Sequence, residues 1–196
     1  RELKFLAQVQ TLSFATDTDQ LEASLTAIAE AAIDSVLTLV RADMVRRYGE
    51  IDVEISIVAL GRLGVKQLTA GSDLDLLILY DADPDVVSNG QRKLPAASYV
   101  LRLAQTMVSW ISTPTAEGTL YDVDLRLRPE GQAGAVATSI DRLATYFDRD
   151  AWIWEKQALT KARLYTRETS VPLSVVRSRL PYSNSGKSYT QRITNA

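Results

Sequence analysis

The chain has 196 residues, 46% of them hydrophobic and 23% charged, with a net charge of −2. That is enough chain to bury a substantial core and favours one domain with room for a helical appendage, while the near-neutral charge carries no signature of nucleic-acid binding. Cysteine and histidine are both absent, which excludes a Cys or His nucleophile, a Ser-His-Asp triad and a zinc site of nitrogen or sulfur ligands.

Any metal must therefore be held by oxygen, which points to Mg²⁺, Mn²⁺ or Ca²⁺. The missing cysteines suit a reducing cytosol. No uninterrupted apolar run approaches the ~20 residues that span a bilayer. No signal peptide is visible, and the sequence opens on Arg1 rather than Met. These features predict a cytoplasmic piece of a longer protein, with neither membrane nor nucleic acid as partner.

The first 50 residues read as an N-terminal helical segment. A short helix is predicted over Glu2 to Leu12. A longer one carries Leu21, Leu25, Ile28, Ala32, Val36, Leu39, Val40 and Met44 at spacings near three and four. Asp17 or Thr18 would cap it, and Gly49 would follow its last turn. Its Leu and Val stripe reads as core.

Ile55 to Leu60 is a short β-rich run that ends in the turn Gly61-Arg62-Leu63-Gly64. Leu74 to Tyr80 reads as a buried strand, and Asp81 to Lys93 as a loop containing Pro84 and Asn89-Gly90. Ala96 to Ser112 reads as a helix stopped by Pro114. Thr119 to Leu127 alternates: Tyr121, Val123, Leu125 and Leu127 on one side, Asp122, Asp124, Arg126 and Arg128 on the other. Pro129 ends that strand, and Gly131 and Gly134 make a turn. Ser139 would cap a helix over Ile140 to Phe147. Helical composition continues from Ala151 to Leu164, taking in Lys156, Lys161 and Arg163. The segment 51–165 forms the expected catalytic domain. The tail 166–196 is unassigned, with Ser183 to Ser188 loop-like.

The most informative stretch is Gly71-Ser72-Asp73-Leu74-Asp75-Leu76. On a strand, Asp73 and Asp75 point the same way. Two such carboxylates repel each other unless a cation lies between them. Asp124, from the alternating strand, supplies a third. Three carboxylates on neighbouring strands can hold two metal ions about 3.5–4 Å apart, as in-line phosphoryl and nucleotidyl transfer requires. Gly61 lies 12 positions before Asp73. A glycine turn entering a helix offers phosphates its N–H groups and a positive dipole end. Against this stand plainer readings: Asp73 as a loop cap, Asp75 as a solvated strand end, and Arg126 and Arg128 as partners of Asp122 and Asp124. Trp152 and Trp154 read as core or interface packing rather than a base-stacking platform, and Glu155 between them is ambiguous.

Glycine turn, Asp-x-Asp and a later strand Asp follow the order of the DNA polymerase β-like nucleotidyltransferases. More specifically, three blocks resemble the glutamate-ammonia-ligase (glutamine synthetase) adenylyltransferase family: Gly61–Gly64 with Leu68–Leu76, Tyr121–Pro129, and Trp152–Arg163. The likeness covers residues 48 to 163. Val65 and Gln67 depart from that family's usual glycine and glutamate, which bears on the shape of the glycine turn.

The resemblance implies an α/β (α+β) nucleotidyltransferase fold: a small mixed sheet flanked by helices. A Rossmann arrangement fits less well with three strands and no Gly-x-Gly-x-x-Gly, although residues 113–138 leave room for more strands. It also implies ATP as substrate, Mg²⁺ or Mn²⁺ held by Asp73, Asp75 and Asp124, and nucleotide contacts from Gly61, Arg62, Ser72, Arg126 and Arg128. Glutamine synthetase would be the protein substrate and the PII signal protein the regulator of the full-length enzyme. That enzyme carries two related domains. The C-terminal one adds AMP to a tyrosine, and the N-terminal one removes it by phosphorolysis. Tyr121–Pro129, Glu130–Gly134 and the Trp-x-Trp-Glu block are closer to the adenylylating copy. The alternatives are the adenylyl-removing copy, a polymerising or antibiotic-modifying nucleotidyltransferase, and a non-catalytic nucleotide- or partner-binding domain.

Overall fold

A computed structural model describes residues 17–165, apart from Glu117, Glu130, Gln132 and Ala133, together with Phe5, Leu6 and Val9. The predicted helix over Glu2 to Leu12 is described only at those last three positions, which are helical. The tail beyond Tyr165 lies outside the described residues.

Helix α1 (Thr18–Tyr48) starts at Asp17, whose carboxylate accepts from the Thr18 N–H, and ends where the Gly49 N–H donates to the Val45 carbonyl at 2.8 Å. Leu25, Ala29, Ile33, Leu37, Val40 and Met44 recur every three or four residues and are buried; this face shares only Leu25, Val40 and Met44 with the expected stripe, whose Leu21, Ile28, Ala32 and Val36 are half-buried at its flank and whose Leu39 is 58% exposed. By length and composition alone this helix could cross a membrane. In the fold its apolar stripe packs in the core with α3 (Ala96–Ser112), which contributes Tyr99, Val100, Leu103, Ala104, Met107 and Ile111.

The sheet is built on β2 (Leu74–Asp81). Strand β1 (Glu54–Ala59) pairs with it antiparallel, Ile57 opposite Ile78 and Ala59 opposite Leu76. Between β1 and β2 lies α2 (Gly61–Gly64), a single turn. Two short strands share β2's other edge, both parallel to it: β3 (Val123–Asp124) along Leu74 and Asp75, and β4 (Ala137–Ser139) along Ile78 to Tyr80. The chain continues through α4 (Ile140–Arg149), α5 (Ile153–Ala158) and a 3₁₀ turn (Leu159–Lys161) to β5 (Arg163–Leu164), antiparallel to β1. The sheet is thus small, mixed and flanked by helices, as expected.

Alternation along β1 and β2 gives the sheet two apolar faces. Ile55, Ile57, Ala59, Leu74, Leu76 and Ile78 face α1 and α3. Val58, Leu60, Leu77 and Leu79 face Ile140, Leu143 and Phe147 of α4.

Two expectations are corrected. The strand predicted over Thr119 to Leu127 forms a ladder only at Val123 and Asp124, because the chain then bends. The Arg126 N–H turns back to the Asp124 carboxylate, and the Arg128 N–H donates to the Arg126 carbonyl. Its two-sided burial survives: Tyr121, Leu125 and Leu127 are buried, Asp122 and Arg126 exposed. The helix predicted across Ala151 to Leu164 breaks into α5, the 3₁₀ turn and β5, because the last residues pair with β1. The room left for strands between residues 113 and 138 is taken by β3 and the start of β4.

Candidate active site

Asp75 and Asp124 are register partners in the parallel pairing of β2 and β3. Alternation sends Asp75 to the face of Leu77 and Leu79, below α4 and α5. The strand entry is held by backbone bonds: the Leu60 N–H donates to the Asp75 carbonyl and the Leu74 N–H to the Asp122 carbonyl, both at 2.9 Å. Gly61 fits beneath the Asp75 side chain. Its φ of +52° favours glycine, and a Cβ there would lie 2.1 Å from Asp75 Oδ2. The glycine turn and the Asp-x-Asp strand are therefore fitted to one another.

Electrostatics divide the carboxylates. Burial, then the nearby charges of Asp124 and Asp73, push Asp75 above the usual carboxylate range. Asp124 is also partly buried, but bonds from Arg126 outweigh that and hold it low. The Arg126 Nε donates to Asp124 Oδ2 at 2.6 Å and its N–H to Oδ1 at 2.9 Å. That bond in turn raises Arg126 above its ordinary value.

The predicted residues fall into three places. A cleft of about 890 Å³ is lined by Gly61, Asp75, Asp124 and Arg126, with Leu60 and Leu127 beside them. A smaller recess of about 440 Å³ holds Asp73, Asp122 and Arg128 and shares Asp124 and Arg126 with the cleft. Arg128 is half-buried, and its Nε donates to the Gly131 carbonyl at 2.8 Å. Ser72 and Arg62 line neither space. The Ser72 hydroxyl closes a turn by accepting from the Thr69 N–H, and Arg62 donates to the Thr69 hydroxyl at 3.1 Å. The helix expected behind the glycine turn is four residues long, so few peptide dipoles sum there.

Of the two settings expected for Trp152 and Trp154, core or interface packing, the core is ruled out: they are 70% and 55% exposed. Arg163 is not helical. From β5 it donates to the carbonyls of Leu63 and Gly64 and to Glu30 on α1 at 2.6 Å, pinning the glycine turn from behind. Glu155 is buried and accepts from the Tyr146 hydroxyl and the Trp152 N–H. The part of the cleft lining that comes from α5 and the 3₁₀ turn, Trp154, Gln157, Ala158, Thr160 and Lys161, was largely missed. Its one sequence signal is the helical spacing of Trp154, Gln157, Ala158 and Lys161.

Among the described residues, no three acidic side chains stand grouped to hold a metal. Asp75 and Asp124 nevertheless suit a hard divalent cation: every donor is a carboxylate oxygen, and a cation would offset both the burial that chiefly raises Asp75 and the like charges that add to it.

A family model described as glutamate-ammonia ligase adenylyltransferase matches residues 1–177. Among curated proteins, the chain is 42% identical over 164 residues to a Brucella suis protein named bifunctional glutamine synthetase adenylyltransferase/adenylyl-removing enzyme, covering 83% of the chain and 17% of that protein. Proteins of the same name match from Mesorhizobium japonicum (41% over 172 residues; 87% and 17%) and Rhodopseudomonas palustris (43% over 168; 84% and 17%). The chain spans about a sixth of the length of these relatives.

Proposed function

This chain belongs to the glutamate-ammonia ligase adenylyltransferase family, and on that premise we propose that it transfers AMP from ATP to a tyrosine hydroxyl of glutamine synthetase. The observation that carries the reading is the register pair Asp75–Asp124, facing a nucleotide-sized cleft with Gly61 fitted against Asp75.

Asp75 and Asp124, with Asp73 closing in from the neighbouring recess, would hold Mg²⁺ or Mn²⁺. When bound, that ion supplies charge neutralisation to the phosphates. The protein's own groups do the rest. The acceptor phenol, with an ordinary pKa near 10, needs a proton acceptor at neutral pH. Asp124 is the candidate, since it is ionised and lines the cleft. Arg126 now weakens it as a base, so the guanidinium moves from Asp124 onto the incoming phosphates. The phenol oxygen then bonds to the α-phosphorus, its proton passes to Asp124, and the bond to pyrophosphate breaks. Arg126 and Arg128 offset the charge of the leaving group. Gly61 keeps the floor of the cleft open to the nucleotide; Arg62 and Ser72 act through the shape of the Thr69–Ser72 turn.

We read the chain as the C-terminal, adenylylating copy, from the likeness of its Tyr121–Pro129 and Trp152–Arg163 blocks. On the same premise the PII signal protein regulates the longer enzyme, and no residue here is assigned to it. The test incubates the chain with Mg²⁺, α-labelled ATP and unmodified glutamine synthetase. Label on a glutamine synthetase tyrosine is expected. Absence of label, with release of ADP from modified glutamine synthetase and phosphate, would reverse the assignment to AMP removal.

A further inference from the structure

The α5 wall of the cleft carries an unusual stripe. Trp154, Gln157, Ala158 and Lys161 follow the i, i+3, i+4, i+7 spacing that commonly makes a core face, yet they line the cleft together with Gly61, Asp75, Asp124 and Arg126. Their orientation is set from behind. Glu155 is 2% exposed and points inward, its two oxygens accepting from the Tyr146 hydroxyl at 2.9 Å and one also from the Trp152 N–H at 2.7 Å. With Glu155 anchored in the protein, Trp154 faces the cleft and keeps 55% of its surface exposed. The wall is also fixed in distance. A Cβ on Gly64 would lie 2.0 Å from the Lys161 carbonyl, so the glycine turn and the 3₁₀ turn meet backbone to backbone.

Trp154, Gln157 and Lys161 thus bring an aromatic ring, a carboxamide and an ammonium group to the lining of one cleft, in sequence order. Lys161 forms no ion pair, and no hydrogen bond engages the Gln157 side chain, among the described residues. We propose that this wall selects the nucleotide: the Trp154 indole stacks on the adenine, Gln157 bonds the edge of the base, and Lys161 draws the phosphates towards Arg126. The proposal rests on the reading of the cleft as an ATP site and adds to it the residues that choose the base. Stacking between a base and an aromatic side chain tolerates any base. At the N7 edge the donor and acceptor of the Gln157 carboxamide match the N7 acceptor and N6 donor of adenine, whereas guanine presents two acceptors there, N7 and O6.

Equilibrium binding of Mg-ATP, Mg-GTP and Mg-tripolyphosphate to the whole chain tests this. Trp154→Ala should raise the Kd for ATP by on the order of tenfold and leave tripolyphosphate unchanged, and Trp154→Phe should restore most of the ATP affinity. Gln157→Ala should narrow the preference for ATP over GTP. Lys161→Ala should weaken ATP and tripolyphosphate alike. Because Trp154 is exposed, the circular dichroism and Tm of its variants should match the parent. The proposal is overturned if Trp154→Ala binds ATP as tightly as the parent while the parent still labels glutamine synthetase; the catalytic reading then survives alone. It is equally overturned if the variant raises KM for glutamine synthetase with the ATP Kd unchanged, which gives the indole to the protein substrate. A parent chain that binds no nucleotide removes both readings.

Discussion

At the scale of single residues, Asp75 shows a conflict between folding and function. Burial and two like-charged neighbours favour its neutral form. A raised carboxyl pKa means that the folded state binds the proton more tightly than the unfolded chain. Stability from this group is therefore fullest below the ordinary carboxylate pKa and falls as pH rises through the raised value. Asp75→Asn should abolish transfer and raise the Tm at pH 7, with the gain vanishing in acid; a lower Tm at pH 7 would contradict the electrostatics. Asp124 has the opposite sign. Arg126→Ala should lower kcat/KM and move the acid limb of the pH–rate profile upward, because Asp124 loses the bonds that keep it ionised. Asp124→Asn should cut transfer by on the order of 10²–10⁴-fold with the fold intact, as read by label incorporation alongside circular dichroism. The aspartates were legible in the sequence because alternation on a strand is local. The pairing of Asp124 with Arg126 was legible only as one of two roles, since spacing does not say whether the guanidinium meets a neighbouring carboxylate or an incoming phosphate.

At the scale of elements, the lesson lies in α5. Its Trp-x-Trp pattern looked like packing because hydrophobicity alone cannot separate a core wall from a cleft wall. What decides is Glu155, a buried carboxylate whose partners, Tyr146 and the Trp152 N–H, come from the end of α4 and the start of α5. Burial and the Glu155 bond push the Tyr146 phenol up to about 12. Its contribution is present below pH 10 and lost as pH rises through about 12. Tyr146→Phe leaves Glu155 short of a donor and should destabilise the protein by about 1–3 kcal/mol, read as a fall in the denaturation midpoint. The ends of β3 and the existence of β5 were not legible for a different reason: each forms a ladder of only two residues, set by a partner strand distant in sequence.

At the scale of the molecule, the helical N-terminal segment is structurally continuous with the domain that follows it. Leu25, Ala29, Ile33, Leu37, Val40 and Met44 belong to the same buried cluster as Ile57, Leu76 and Ile78, and Glu30 meets Arg163 behind the glycine turn. A chain starting at residue 51 should lose cooperative thermal unfolding and expose that cluster, which dye binding would report; a sharp transition at the parent Tm would show the helix to be dispensable. The helical period was visible in the sequence, but the stripe was set about one position off, with Ile28, Ala32, Val36 and Leu39 expected where Ala29, Ile33 and Leu37 are buried, because apolar residues flank both faces and the sheet decides which is covered.

The edge of β2 has one more consequence. Between Asp124, where β3 leaves it, and Ala137, where β4 returns to it, the chain makes an excursion that begins and ends on the same strand. Both anchor points are held by the sheet, so a change in the excursion's length need not shift any strand. Such a place suits evolutionary tinkering. Arg126 and Arg128 sit at the start of this excursion, so a change in its length beyond them leaves Asp75, Asp124 and both guanidinium groups at the root.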